Sequence, residues 1–233
     1  NLGRSAALLA GIPNTVPGYS VDRWCAGAMT SVTTLAGAIN MGTAKFAIAG
    51  GVEHMGNHPI GSLMDPNPRF IAEKMVDPDA MSMGATAERL HDKFPAITKE
   101  RADAYAVGSQ DKTAAAYAAG RIQKDLIPTA ARTPELGWTI ATVDEPPRPG
   151  TTMEALAGLK TPFRPGGRVT AGNSSQTSDG ASFVIVMSER MVKQLNLKPI
   201  ARLVSHAVAG VPPRIMGIGP IAAIPKAIEK ADL

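Results

Sequence analysis

The chain has 233 residues, 44% of them apolar, 19% charged and 4% aromatic, with a formal net charge of +4. That composition excludes a disordered protein, and the length suits one large domain or two small ones. The single cysteine excludes an intramolecular disulfide and suits a reducing compartment such as the cytoplasm, while no run of residues reaches the length of a membrane span.

Residues 2–10 read as a helix closed by Gly11 and Pro13, and residues 16–21 as a short strand. Cys25 follows, then a helix over 26–41. Its apolar positions Ala28, Met29, Val32, Leu35, Ala36 and Ile39 have the spacing of one buried helix face. Cys25 therefore opens a helix directly after a strand-like run. Unpaired N–H groups and the positive end of the helix dipole lie at such a start, and both favour the nucleophilic thiolate. The competing reading is a small buried apolar residue, the usual setting of a lone cysteine. Trp24 beside it reads as a packing residue. Residues 45–49 form a continuous apolar strand of the kind found in buried parallel sheets, running into Gly50-Gly-Val-Glu-His-Met55.

Residues 61–170 differ: Pro and Gly are frequent and long apolar strands are absent. Helices are predicted over 83–93 and 98–119, the second with Thr98 as N-cap and Glu100 in its first turn. Asp144-Glu-Pro-Pro-Arg-Pro-Gly150 is a Pro-rich turn. The stretch reads as a large excursion from an α/β core, and such insertions commonly carry ligand contacts. From residue 169 the alternation returns. A small-residue loop over 170–180 leads to a buried strand over 181–187, a helix over 189–195, a strand over 200–208 and a helix over 220–230. Helix and strand alternating in this way imply a layered α/β core.

The histidines suggest no metal site. His54 and His58 are four apart, but Gly56 and Pro59 break any helix between them. His91 reads as an exposed helix position and His206 as structural. The 24 Lys and Arg form no dense block with interleaved aromatics, which argues against nucleic acid.

Four segments, in this order, resemble the thiolase family. They are Cys25-Ala-Gly-Ala-Met29 with Phe46-Ala-Ile-Ala-Gly-Gly-Val-Glu-His-Met55, then Met83-Gly-Ala-Thr-Ala-Glu88, then Val169-Thr-Ala-Gly-Asn-Ser-Ser-Gln-Thr-Ser-Asp-Gly180, then Gly217-Ile-Gly-Pro220. The resemblance implies the layered αβαβα thiolase fold, incomplete here, with an inserted loop domain. Residues 1–60 would be the part of the N-terminal domain that carries the nucleophile, and 61–170 the CoA-binding loop domain. Residues 171–233 would end the N-terminal domain and begin the C-terminal one. The chain's ends, Asn1 and Leu233, each fall in a helical run, so it reads as an internal piece of a longer protein.

The resemblance also implies an acyltransferase. Cys25 would attack the keto carbon of a 3-oxoacyl-CoA and pass the acyl group to CoA, as in fatty-acid β-oxidation. CoA and acyl-CoA are substrates, and no cofactor is implied. Met83 would lie against the pantetheine, Arg148 at the CoA nucleotide, and Phe163 near the adenine or pantetheine. Ala171 and Ser175 would lie on the loop that hydrogen-bonds the pantetheine arm. The family forms dimers or tetramers, some within a β-oxidation multienzyme complex.

The chain departs from the family pattern in two ways. Cys25-Ala-Gly27 stands where Cys-x-Ser is common. The family's Asn-Glu-Ala-Phe, Gly-His-Pro and Cys-x-Gly segments, with the base histidine and second cysteine, do not occur in these 233 residues. This stretch alone is therefore expected to lack turnover. Ser82 stands where biosynthetic members often carry histidine, which favours the degradative direction. The alternatives are a biosynthetic acetoacetyl-CoA thiolase and a non-catalytic CoA-binding relative.

Overall fold

The computed structural model describes residues 1–62, 64–133 and 137–233. In chain order its elements are α1 (Leu2–Leu9), α2 (Gly27–Asn40), β1 (Phe46–His54), α3 (Arg69–Ala72), α4 (Met83–Lys93) and α5 (Lys99–Ala118), then β2 (Thr129–Thr133), β3 (Gly137–Ala141), α6 (Met153–Ala157), β4 (Asp179–Met187), α7 (Glu189–Gln194) and α8 (Gly219–Lys230). They divide into two compact units. One comprises Asn1–Leu63, Ser178–His206 and Lys230–Leu233, the other Met64–Thr177 and Ala207–Glu229.

The first unit is built on an antiparallel ladder of β1 and β4, in register from Phe46 opposite Met187 to His54 opposite Asp179. Side chains alternate across a strand, so Ala47, Ala49 and Gly51 share one face. That face is small because α2 lies on it. Ala49 is buried, and a Cβ at Gly51 would stand 2.9 Å from the Cβ of Ala28. Ser31 of α2 fastens the contact, its Oγ donating to the Gly50 carbonyl and accepting the Gly50 N–H, both at 3.0 Å. The other face carries Phe46, Ile48, Val52, Phe183 and Ile185, all exposed.

The second unit gathers α4, α5 and α6 around residues 163–173. Its buried apolar residues are Leu156 and Val169, and its buried polar residues are Thr86, Glu88, His91, Asp103 and Thr170. Hydrogen-bonded polar groups thus make up much of what this unit buries. A short antiparallel hairpin pairs β2 with β3, from Thr129 opposite Ala141 to Thr133 opposite Gly137. The sequence reading did not anticipate it.

The helices over 83–93 and 98–119 form within a residue of expectation, and Thr98 caps α5 by accepting the Arg101 N–H at 3.2 Å. Other expectations need correction. The 45–49 strand pairs antiparallel, not parallel, and is largely exposed. The 181–187 strand, β4, is also exposed rather than buried. The strand over 16–21 does not form, because α1 takes its backbone groups. The Arg4 guanidinium donates to the Val16 carbonyl, Asn1 Nδ2 donates to the Gly18 carbonyl at 3.4 Å, and Ser20 Oγ turns back to the Gly3 N–H at 2.9 Å. The strand over 200–208 is absent too: these residues pair with neither edge of the β1–β4 ladder. His91 is buried, not exposed: its Nδ1–H donates to the Ile97 carbonyl at 2.7 Å.

The chain exposes 17249 Å², against about 10,000 Å² for a folded monomer of 24.2 kDa. The uncovered face of β1 and β4 belongs to that excess. Among the described residues, no helix is long and apolar enough to cross a membrane.

Candidate active site

Cys25 lies on a single 3-10 turn, Trp24–Ala26, that leads directly into α2. The turn begins with strain. Trp24 has φ +45, a left-handed conformation that bulky side chains rarely adopt. Asp22 supports it, its carboxylate accepting the Trp24 N–H at 3.3 Å. Trp24 is 76% exposed, so it is not the packing residue expected. Cys25 is exposed as well, which rules out the small buried reading. The N-cap of α2 is Ala26, whose side chain accepts no hydrogen bond. The preceding turn caps the helix with its own backbone instead, the Ala26 N–H donating to the Arg23 carbonyl at 3.0 Å and the Gly27 N–H to the Trp24 carbonyl.

The close approach of β1 to this helix start depends on Gly51 and Ala28, three residues beyond Cys25. At the far end of β1, His54 Nδ1 lies 2.7 Å from Asp179 Oδ2, and the Gly56 N–H donates to Asp179 Oδ1 at 2.8 Å. The Gly56 N–H, and secondarily His54, hold the Asp179 carboxyl below its ordinary range. A depressed carboxyl stabilises the fold fully above the unfolded value of about 3.9, and that contribution is lost as pH falls through the lower folded value. An NMR titration should find the Asp179 carboxyl midpoint below that of a free aspartate. The acid transition of Asp179→Asn should then begin at higher pH than the parent's. A free-aspartate midpoint would contradict this geometry.

In the second unit, Met83 opens α4 behind Ser82, whose hydroxyl accepts the Ala85 N–H at 3.4 Å. Phe163 lies on the same helix start. A Cβ at Gly84 would stand 2.2 Å from its ring, so only glycine admits it. Met83 and Phe163 are thereby neighbours, both largely exposed. Ala171 begins a 3-10 turn, Ala171–Asn173, and Gly172 sits against Leu156 and Leu159. Ser175 is exposed, its hydroxyl donating to the Gln176 carbonyl at 3.4 Å. Arg148 lies in the Pro-rich turn over residues 144–150. Its N–H donates to Gln110 on α5 at 2.9 Å, and its guanidinium turns onto the carbonyls of Glu145, Pro146 and Pro147.

Sequence reasoning missed the groups that hold this unit together. Glu88 and Asp103 are each 2% exposed. Glu88 pairs with Arg164, and Asp103 with Lys99. Glu88 and Asn173 stood within quoted motifs, but nothing local marks them as partners of distant groups. Among the described residues, no group of three or more His, Cys, Asp or Glu could hold a metal ion.

A family model described as "Thiolase, N-terminal domain" matches residues 1–190. The whole chain is 40% identical to the 3-ketoacyl-CoA thiolase of Bacillus subtilis over 242 residues, covering 61% of that protein. It is 39% identical to the peroxisomal 3-ketoacyl-CoA thiolase A of Rattus norvegicus over 241 residues, covering 54% of it. Among solved structures, the Bacillus anthracis acetyl-CoA acetyltransferase aligns with TM-score 0.85 at 38% identity, covering 100% of this chain and 61% of that one. The human mitochondrial 3-ketoacyl-CoA thiolase aligns with TM-score 0.85 at 36% identity, again covering 100% of this chain and 61% of that one. The chain thus spans about three fifths of the length of these bacterial relatives.

Proposed function

The chain belongs to the thiolase family and carries an incomplete portion of its fold, and from that premise we propose that Cys25 is the nucleophile of an acyltransferase that cleaves 3-oxoacyl-CoA with CoA. The observation that carries this reading is the setting of Cys25: an exposed thiol on a strained turn at a helix start that no side chain caps. Covalent catalysis needs a sulfur that substrate can reach, beside groups that stabilise developing negative charge.

The chemistry runs in two half-reactions. Cys25 Sγ adds to the C3 keto carbon, and the positive end of the α2 dipole beside it favours the developing oxyanion. The C2–C3 bond breaks, its electron pair passes to C2, and C2 takes a proton and leaves as acetyl-CoA. The shortened acyl group stays on sulfur as a thioester. The thiolate of a second CoA then displaces Cys25 and releases the shortened acyl-CoA. The acid and base for these proton transfers belong to family segments outside these 233 residues, so this stretch contributes the nucleophile and CoA contacts.

Met83, Phe163, Ala171 and Ser175 form the pantetheine side of the proposed CoA site, and Arg148 the nucleotide side. The Met83–Phe163 neighbourhood on α4 supports the first assignment. The second is supported only by the exposed Pro-rich turn, since the Arg148 guanidinium folds onto its own carbonyls and would have to turn outward. A homodimer or tetramer, a β-oxidation multienzyme partner and a cytoplasmic location belong to the same reading. The exposed apolar face of β1 and β4 is consistent with a covering partner.

The condensing direction is the second reading, favoured by the likeness to a structure described as an acetyl-CoA acetyltransferase. Ser82 fits either direction, since it caps α4 here.

Calorimetric titration of the full chain with CoA tests the binding assignment. Phe163→Ala is expected to weaken CoA about tenfold, the loss typical of one buried aromatic contact. Unchanged affinity would remove Phe163 from the site.

A further inference from the structure

We propose that Glu88 and Asp103 are positioning residues, two buried carboxylates that clamp residues 164–173 between α4 and α5 and so set the shape of the CoA loop; this rests on the CoA-binding reading above. Glu88 uses both oxygens. Oε1 accepts the N–H groups of Arg168 and Val169, each at 2.8 Å, and Oε2 accepts Arg164 Nη2 at 3.0 Å. Arg164 also reaches Asp92 on α4 at 2.8 and 2.9 Å. Gly167 makes the approach possible, since a Cβ there would stand 2.3 Å from Glu88 Oε1.

The second carboxylate holds the loop's other end. Asn173 Oδ1 accepts the Thr170 N–H at 2.8 Å, and its Nδ2 donates to the Arg168 carbonyl at 2.8 Å and to Asp103 Oδ1 at 2.9 Å. Lys99 pairs with Asp103 Oδ2 and donates to the Leu156 carbonyl at 2.9 Å. At 2% exposure neither carboxylate can reach a ligand. What they hold are main-chain donors and side chains of the loop.

The consequence for binding follows from where the clamp sits. Glu88 lies on the helix that begins with Met83 and receives Phe163 against Gly84. The loop it holds runs directly into Ala171 and Ser175. A single clamp therefore fixes four proposed CoA contacts relative to one another. A buried charge left without these donors would carry a large desolvation cost, so the loop and the two helices keep this arrangement together.

The test is Glu88→Gln in the full chain, titrated with CoA and with free pantetheine. The amide keeps the volume but cannot accept from all three donors. We expect both ligands to bind about tenfold more weakly, and the Arg168 and Val169 amides to exchange hydrogen faster than in the parent. Equal loss for both ligands marks the pantetheine segment as the part affected. Should Glu88→Gln not fold, Gly167→Ala pushes the loop from the other side, with the same loss expected. Unchanged affinities in the folded variant, or unprotected Arg168 and Val169 amides in the parent, would overturn the clamp while leaving the CoA site intact. A parent chain that binds neither ligand would instead overturn the CoA reading, and the clamp's role with it.

Discussion

Cys25→Ala is expected to lower the turnover of a complete thiolase carrying this sequence by about 10⁴-fold or more, the scale seen when a covalent nucleophile is removed. The reason is in the reaction. Without sulfur there is no acyl thioester, and C2–C3 cleavage has no nucleophile to keep the acyl group while C2 departs. These 233 residues hold no second cysteine to take over. The variant should fold and bind CoA as the parent does, because Cys25 is exposed and its truncation empties no core. Lost activity with retained CoA affinity is thus the expected pattern. Cys25→Ser should behave alike, since an alcohol is far less ionised than a thiol near neutral pH.

Asp103→Ala is expected to destabilise the second unit by about 3–5 kcal/mol. It strands Lys99 without its partner and frees Asn173 from α5. For a chain of this size that corresponds to a melting temperature lower by about 10 °C. Asp103→Asn should fall between the two, keeping an acceptor for Asn173 but setting an uncharged amide beside the ammonium of Lys99. The exposed Glu189–Lys193 pair is the comparison, and breaking it should leave stability almost unchanged. Equal effects at the two pairs would contradict the distinction drawn between buried and exposed charge.

What could be read in advance was local. The long helix α5 of the second unit announces itself by its cap, Thr98, which accepts the N–H three residues on, whereas the matching cap at Ser82 was not read from the sequence. The position of Cys25 just before a helix was legible from the spacing of apolar residues in α2. What could not be read was set by distant partners. Residues 16–21 have the composition of a strand, but Asn1 and Arg4 claim the Gly18 and Val16 carbonyls, and Gly3 the Ser20 hydroxyl. Residues 45–49 look like a parallel core strand, and only the arrival of β4 some 130 residues later makes the pair antiparallel. Glu88 is one glutamate in an amphipathic helix until donors 76 to 81 residues away arrive. His91 is buried for a similar reason, by a carbonyl at the turn after its own helix. The strain at Trp24 left no trace in composition, because a positive φ at a bulky residue is imposed by the surroundings.

The family assignment and the proposed chemistry meet at one atom, the sulfur of Cys25. The decisive measurement is intact-mass and peptide mass spectrometry of the chain after incubation with acetyl-CoA, with Cys25→Ser as control. The account predicts an acetyl increment on the peptide containing Cys25, absent from the control and removed when free CoA is added. An unmodified Cys25 under conditions where CoA binds, or acetylation at other residues alone, would contradict it.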